Sequence, residues 1–444
     1  MTDVDRAKPG ASEAKALAVV APVEVPRDVP EGTLVLRGAT VATMRGDEVI
    51  ANADIVVTGG RVVSIGKAGA APLPKGAVVR DVSGKVITPG FIDAHAHWFD
   101  IRRQVQDAQP WSFLVSLSYG ITSALDPQSF TNDIFVYEDM ADAGLTLAPR
   151  LYSTGPGVFT ASHIDSQADA EDVLTRYRDA YRTRNIKSYM VGDRAQRQFM
   201  VEGAKVLGMM PTTEGASDLN LDLTHALDGF SGNEHALPVS PLRQDVVQLF
   251  ARSRTSLVPT LNVLYGSEPP LFDLIITKRP QDEARLKRFM PPGVLAGKLN
   301  DRHWTPPENM SYASFAADAL AIQRAGGVVG LGSHSEVQGL GFSWEMQLFA
   351  SGGAKPIEVL RAATMGSAEA IGRTHDIGSL EPGKFADLLI FDADPLADIA
   401  NVSKLGMVMK NGRLYEAATL DEVWPIKRPL PVQWFSNLAP STTR

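Results

Sequence analysis

Between Pro89 and about Arg373 the chain repeats one pattern, a short apolar run that ends in polar residues followed by a stretch with helical spacing. Strands that alternate with helices pair in parallel, because each helix carries the chain back across the sheet. Eight such runs can be counted: Phe91–His95, Ile121–Asp126, Ala148–Ser153, Ile186–Met190, Met209–Glu214, Gly232–His235, Ser256–Leu261 and Val328–His334. Eight strands predict an α/β fold of the (β/α)8 TIM-like barrel type, which takes about 250 residues. The 444 residues of the chain leave room for a second, smaller body. In such a barrel the working side chains stand at the carboxyl ends of the strands.

The flanks read differently. Residues 1–32, rich in Ala, Pro, Val and charge, have no sustained period and are expected to form an arm. Short β-rich runs follow from Gly32, broken by Gly59-Gly60, and similar runs return at Ala386–Phe391 and Met407–Lys410, before the hairpin dipeptide Asn411-Gly412. Residues 33–88 and 376–420 are therefore predicted to form the two parts of a small β-sandwich, with the barrel of residues 89–375 inserted between them. A tail covers residues 421–444. Residues 264–307, rich in Pro and charge, are too long for an ordinary connection and are expected to cover the barrel mouth.

A formal charge of -8, with both signs interleaved, gives no basic stripe for nucleic acid. No apolar stretch reaches the roughly 20 residues of a membrane helix, and the first residues lack a basic secretory start. A cytoplasmic protein acting on a small molecule, without nucleic-acid or membrane partners and assembled as a homo-oligomer, is the expectation. With no cysteine, a transition metal must be held by His, carboxylate or modified Lys.

His95 and His97 are two apart on a predicted strand, so both side chains point to one side and can grip one ion. Alone, a His-x-His pair is also compatible with two core histidines. The surrounding Pro89-Gly-Phe-Ile-Asp-Ala-His-Ala-His, Gly120-Ile-Thr-Ser and the stretch from Gly378 to Asp392 together closely resemble the amidohydrolase superfamily, over about residues 33–416. The resemblance implies that His95 and His97 bind a buried metal. It places Lys187 at the fourth-strand ligand position, where a lysine carboxylated on its side-chain nitrogen bridges two ions, and His235, preceded by Glu234, at the sixth-strand position.

The sequence departs from the family pattern twice. The fifth strand offers Glu214 where a histidine is usual, which requires a small register adjustment. The eighth ends in His334 where an aspartate is usual. Histidine can serve either as ligand or as general base, since its ordinary pKa lies near neutrality. The Thr-Glu-Gly and Gly-Ser-His segments are similar to an imidazolonepropionase-like and prolidase-like subgroup. Tyr189 shares the facing of Lys187 and could donate to a developing oxyanion. His163 and Arg194, in loops after strands three and four, are candidates for substrate binding, and Asp126 supports the centre. His225, His303 and His375 read as ordinary surface.

The resulting expectation is a metal-dependent hydrolase with one or two divalent ions, zinc being the first choice. His95 and His97 hold one ion, carboxylated Lys187 bridges to a second, His235 and Glu214 complete the set, and His334 takes the proton of a metal-activated hydroxide. Amides, cyclic amides or esters are the substrate class, with peptide-like or N-acyl amino acid compounds first. The alternatives are a deaminase on the same scaffold, or a non-catalytic scaffold using apolar surface from Trp424, Trp434 and Phe435.

Overall fold

The computed structural model describes residues 24–101, 107–159, 162–189, 191–300 and 304–436. His303 and the outer parts of the arm and the tail lie outside them. Sixteen strands are described. The first five are β1 (Thr33–Ala42), β2 (Val49–Thr58), β3 (Arg61–Lys67), β4 (Val78–Asp81) and β5 (Val86–Pro89). The central seven are β6 (Phe91–Asp93), β7 (Ile121–Asp126), β8 (Arg150–Ser153), β9 (Asn185–Lys187), β10 (Met210–Thr213), β11 (Gly232–Glu234) and β12 (Ser256–Val258). The last four are β13 (Leu388–Phe391), β14 (Leu405–Lys410), β15 (Arg413–Glu416) and β16 (Glu422–Trp424).

The two β-rich flanks share one nine-stranded sheet, in the order β16-β15-β14-β13-β5-β1-β2-β3 with β4 beside β1. The seam is the antiparallel pair of β5 and β13, where Ile87 faces Ile390. Its apolar side buries Leu34, Leu36, Ile55, Ile87, Ile390, Met409 and Trp424 in a core of its own. Two hairpin turns meet at this junction. Asn411 and Gly412 have φ of 53° and 75°, the left-handed pair a two-residue turn needs, and a Cβ on Gly412 would stand 2.7 Å from the Cα of Gly60 in the other turn. The sheet extends past residue 420, because Trp424 pairs with Leu414. That uses one tail aromatic, and Phe435 is also buried. Of the three aromatics a scaffold reading invokes, only Trp434 is exposed.

The central chain forms an α/β layer. Strands β6 to β8 pair in parallel, as do β9 to β12, and helices such as Trp111–Ser118, Arg194–Leu207, Gln244–Ser253 and Tyr312–Arg324 fill the connections. Val158 bridges to Ser188 between the two sheets. On the other side, residues 328–334 run between β12 and β6: Leu257 N donates to Val328 O, Ala94 N to Leu331 O and His334 N to His95 O. This last run makes bridges rather than a regular strand. A Cβ on Gly332 would stand 2.4 Å from the Cβ of His95, so a glycine is required where the two segments approach. The strands are shorter than the sequence suggests for a physical reason. His235, Thr260, His334 and Ser335 have φ of 71°, 44°, 58° and 61°, and left-handed residues end the ladder.

Residues 264–307 carry the helices Leu271–Lys278, Ala284–Phe289 and Pro292–Lys298, whose Leu271, Ile275, Leu286 and Phe289 join the main core. Among the described residues, no helix is long and apolar enough to cross a membrane.

Candidate metal centre

Regular pairing of β6 stops at Asp93 and the chain bends at Ala94 and His95, yet it stays tied to both neighbouring segments. Ala94 N bonds Leu331 O, and Ala96 N bonds Leu125 O. His95 and His97 point together, with their Nε2 atoms 3.3 Å apart, His95 fully buried and His97 nearly so. Asp93 holds this turn from below: its carboxylate accepts from His95 N, Ser333 N and Ser333 Oγ at 3.2, 3.0 and 2.5 Å. Burial pushes Asp93 up to about 7.

Four imidazoles converge. Ring centroids lie 5.0 Å apart for His95 and His97, 4.8 Å for His95 and His235, and 4.7 Å for His97 and His334. Ligand nitrogens of His95, His235 and His334 all fall within 4.8 Å of one another. Each ring is fixed from behind. His95 Nδ1 lies 2.7 Å from Glu234 Oε2, His97 Nδ1 lies 3.2 Å from Asp126 Oδ1, His235 Nδ1 lies 2.7 Å from Thr260 Oγ1, and His334 Nδ1 lies 3.1 Å from Glu336 Oε1. Burial, reinforced by the neighbouring rings, holds His95 well below its ordinary pKa, and burial takes His235 down to about 4, so both rings are neutral at pH 7, the form that can ligate a metal.

The donor set can be tested for fit to a metal. Burial pushes Glu234 up to about 7; in its ionised form a carboxylate only accepts, and ionised carboxylates behind His95 and His97 place their ring protons on Nδ1. Their Nε2 lone pairs then face each other at 3.3 Å. Two lone pairs at that separation repel unless a cation lies between them. Two zinc–nitrogen bonds of about 2.0–2.1 Å at a tetrahedral angle separate their nitrogens by about 3.3 Å. The residues fit a transition metal bound by nitrogen and oxygen.

Glu214 closes the far side. It is buried, with Oε2 2.5 Å from Lys187 Nζ and 3.3 Å from His235 Nε2. Although burial opposes it, the His235 contact and the Lys187 charge hold this carboxyl well below its usual range. Tyr189 and Tyr265 stand next to Glu214, and burial with that negative neighbour pushes both phenols up to about 12. Tyr265 also lies against His235, with centroids 4.2 Å apart.

The structure brings together His95, His97, Lys187, Glu214, His235, His334 and Tyr189. It does not bring in Arg194, whose guanidinium is taken by Asp228 at 2.6 and 2.8 Å at the start of its helix. His163 stands exposed after β8, at φ 52°, and no contact links it to the cluster. His225 is a correction of another kind. It is fully buried against Phe230 rather than on the surface, while His375 is exposed.

Several positions carry the site without a sequence signal that marks them. Thr260 is a β-branched residue at positive φ, and the turn that holds it is clamped by Glu345, which accepts from Leu261 N at 2.6 Å and Asn262 N at 3.0 Å. Tyr265 and Lys298 come from the two ends of the 264–307 segment, Lys298 meeting Glu336 at 2.9 Å. Glu336 was legible only as a neighbour of Gly-Ser-His.

The description "Amidohydrolase family" fits residues 86–415 of the chain. An imidazolonepropionase of Geobacillus thermodenitrificans is 52% identical over 62 residues, which span 13% of this chain and 15% of that protein. A 5-methylthioadenosine/S-adenosylhomocysteine deaminase of Symbiobacterium thermophilum is 23% identical over 402 residues, 81% of this chain and 85% of that protein. Among solved structures, a Xaa-Pro dipeptidase with methionine bound in its active site is similar at TM-score 0.65 and 17% identity, covering 87% of this chain and 100% of that one. This last likeness concerns the fold. With three quarters of its length matched and the histidine centre in place, the chain belongs to the amidohydrolase family.

Proposed function

We propose that this chain is a metal-dependent hydrolase that cleaves an amide or cyclic amide bond of a small, peptide-like molecule, on a (β/α)8 barrel formed by β6 to β12 and residues 328–334. The observation that carries the reading is the pair of Nε2 atoms facing each other at 3.3 Å with both Nδ1 atoms held by carboxylates. Family membership supports action on a carbon–nitrogen bond, and relatives named imidazolonepropionase and Xaa-Pro dipeptidase support the substrate class.

In this reading His95, His97, His235 and Glu214 hold the ion, with zinc the best match to the donors. When bound, the metal supplies Lewis acidity and lowers the pKa of water toward about 7. His334 is the general base. It is the most exposed of the four imidazoles at 22% of its side chain, so it stands where water and substrate arrive. Its Nδ1 is occupied by Glu336, which leaves Nε2 to take the proton of the attacking water and return it to the leaving nitrogen. Glu336, drawn down to about 2 by His334 and Lys298 against the effect of burial, keeps the charge that steadies the protonated ring. Tyr189 and Tyr265 remain protonated at neutral pH and can donate to the developing oxyanion.

Lys187 has two states to choose from. As an ammonium it forms the ion pair seen with Glu214. Carboxylated, it would set two anions side by side, so carboxylation and a second ion belong together. The intact mass should then rise by one carboxyl group only in protein with two equivalents of metal.

The base is tested by His334→Ala and Glu336→Gln. The alanine variant should lose about 10²–10⁴ in kcat on a dipeptide and cyclic-amide panel while retaining at least one equivalent of metal. The glutamine variant should lose less. Full activity in His334→Ala excludes it as base, and turnover of an aminopurine nucleoside in place of the amides would assign the centre to deamination.

A further inference from the structure

At the opposite end of the strands from the histidines, a cavity of about 340 Å³ separates the nine-stranded sheet from the central α/β layer. Its wall on one side is the stretch Gly144–Ala148, just before β8, and on the other Lys410, Arg413 and Glu422 of the sheet, with Asp28 from the segment before β1. This is the size of a small-metabolite site.

The charges of the wall do not cancel. Arg413 bonds Asp28 and Glu422, each at 2.7 Å, and Arg428 bonds Glu422 at 2.7 Å. That leaves two carboxylates shared among two guanidiniums, with Lys410 outside the network. Lys410 is only 6% exposed, and among the described residues its ammonium makes no hydrogen bond and no ion pair. A buried, unpaired cation is an expensive arrangement, and a chain that keeps one normally neutralises it or supplies a counter-charge. The carboxylates nearby are already engaged: Asp387 receives Arg150 at 2.7 Å, Asp142 receives Arg27 at 3.0 Å, and Asp28 receives Arg413. Burial and the positive charge of Arg150 draw the Lys410 pKa down to about 8, against the opposing charges of Asp387, Asp142 and Asp28.

A second group on the same wall is also without a partner. Thr146 is buried, and its hydroxyl makes no hydrogen bond. Lone hydroxyls and lone ammonium groups are uncommon in folded interiors, and two lining one cavity point to a ligand that satisfies both.

We propose that this cavity is a binding site for a small oxyanion, a carboxylate or phosphate group, held by the Lys410 ammonium and the Thr146 hydroxyl. The anion supplies the charge the wall lacks. It joins the sheet to the central layer at a place remote from the histidine centre, and it does not depend on the reaction proposed for that centre.

Equilibrium dialysis with labelled inorganic phosphate and labelled succinate, at fixed ionic strength, tests the site. The full chain and its His95→Ala, Lys410→Met and Thr146→Val variants are compared. One saturable equivalent of at least one probe is expected in the unmodified protein and in His95→Ala. Affinity should fall at least tenfold in Lys410→Met, and more modestly in Thr146→Val, which keeps shape and charge if the methionine variant does not fold. Phosphate alone or succinate alone distinguishes the two sources of the anion. No saturable binding of either probe, unchanged binding in both wall variants, or loss of binding in His95→Ala would overturn the assignment.

Discussion

Asp126 and Glu234 touch the rings of His97 and His95, the two proposed to hold the metal, from behind. Each fixes a tautomer and makes the ligating nitrogen more basic. Asp126→Asn and Glu234→Gln should therefore weaken metal binding about 10–100-fold while leaving the fold intact, as read by competition with a chromophoric chelator. Unaltered affinity in both would mean that the rings are oriented by something else. Residues of this kind separate what could be read in the sequence from what could not. His95 and His97 were legible through their two-residue spacing and the motif around them, although β6 ends at Asp93 and it is the bend beyond it that brings the rings together. His235 and Glu214 were legible through motif position. Thr260 and Glu345 were not, since the clamp between them joins segments 84 residues apart and has no local signature. Arg194 was misplaced for the opposite reason. A loop position after a strand suggests the site, but the partner that captures the guanidinium, Asp228, lies on the next helix.

At the scale of the element, the helix Leu219–Asp228 shows how a polar residue can hide an inward face. Asp222, His225 and Ala226 fall at i, i+3 and i+4 and are all buried, so His225 belongs to the side that packs. Burial, with Arg197 nearby, holds its pKa down to about 4. The unfolded chain takes up the proton near 6.5 while the folded chain refuses it until about 4. Between those values the unfolded state binds more protons, so stability falls as pH falls. Replacing His225 with Leu should flatten the melting temperature between pH 6.5 and 4, and an equally steep profile in the variant would exclude His225 as a source of the acid loss. The strands carry the complementary lesson. Their order and their polar carboxyl ends could be read, but not their early termination, because the left-handed φ of His235 after β11 and of Thr260 beyond β12 has no signal in residue type.

At the scale of the molecule, the sheet and the central layer are held by a buried ion pair. Arg150, at the start of β8, reaches Asp387 before β13 at 2.7 Å, bonds Asn411 at 2.9 Å and stacks over Phe385 at 3.4 Å. Arg150→Met breaks the pair and leaves buried Asp387 only the Asn411 N–H and the nearby Lys410 charge, which should cost up to about 3–5 kcal/mol in chemical unfolding. A loss under about 1 kcal/mol would mean the two bodies do not depend on this contact. The reunion of the two flanks was legible in matching β-rich runs around a barrel-length insert, whereas the pair that locks them lies 237 residues apart and could not be read. The central claim is that the histidine cluster binds a metal that hydrolysis requires. Metal content and amide hydrolysis measured together, on untreated, chelator-stripped, metal-restored and His95→Ala protein, test it most directly. The untreated protein should carry at least one equivalent of metal, lose activity by at least about 10²-fold on stripping and recover it on restoring zinc, while His95→Ala should show neither metal nor recovery. Hydrolysis at the untreated rate by stripped protein and by His95→Ala would contradict it.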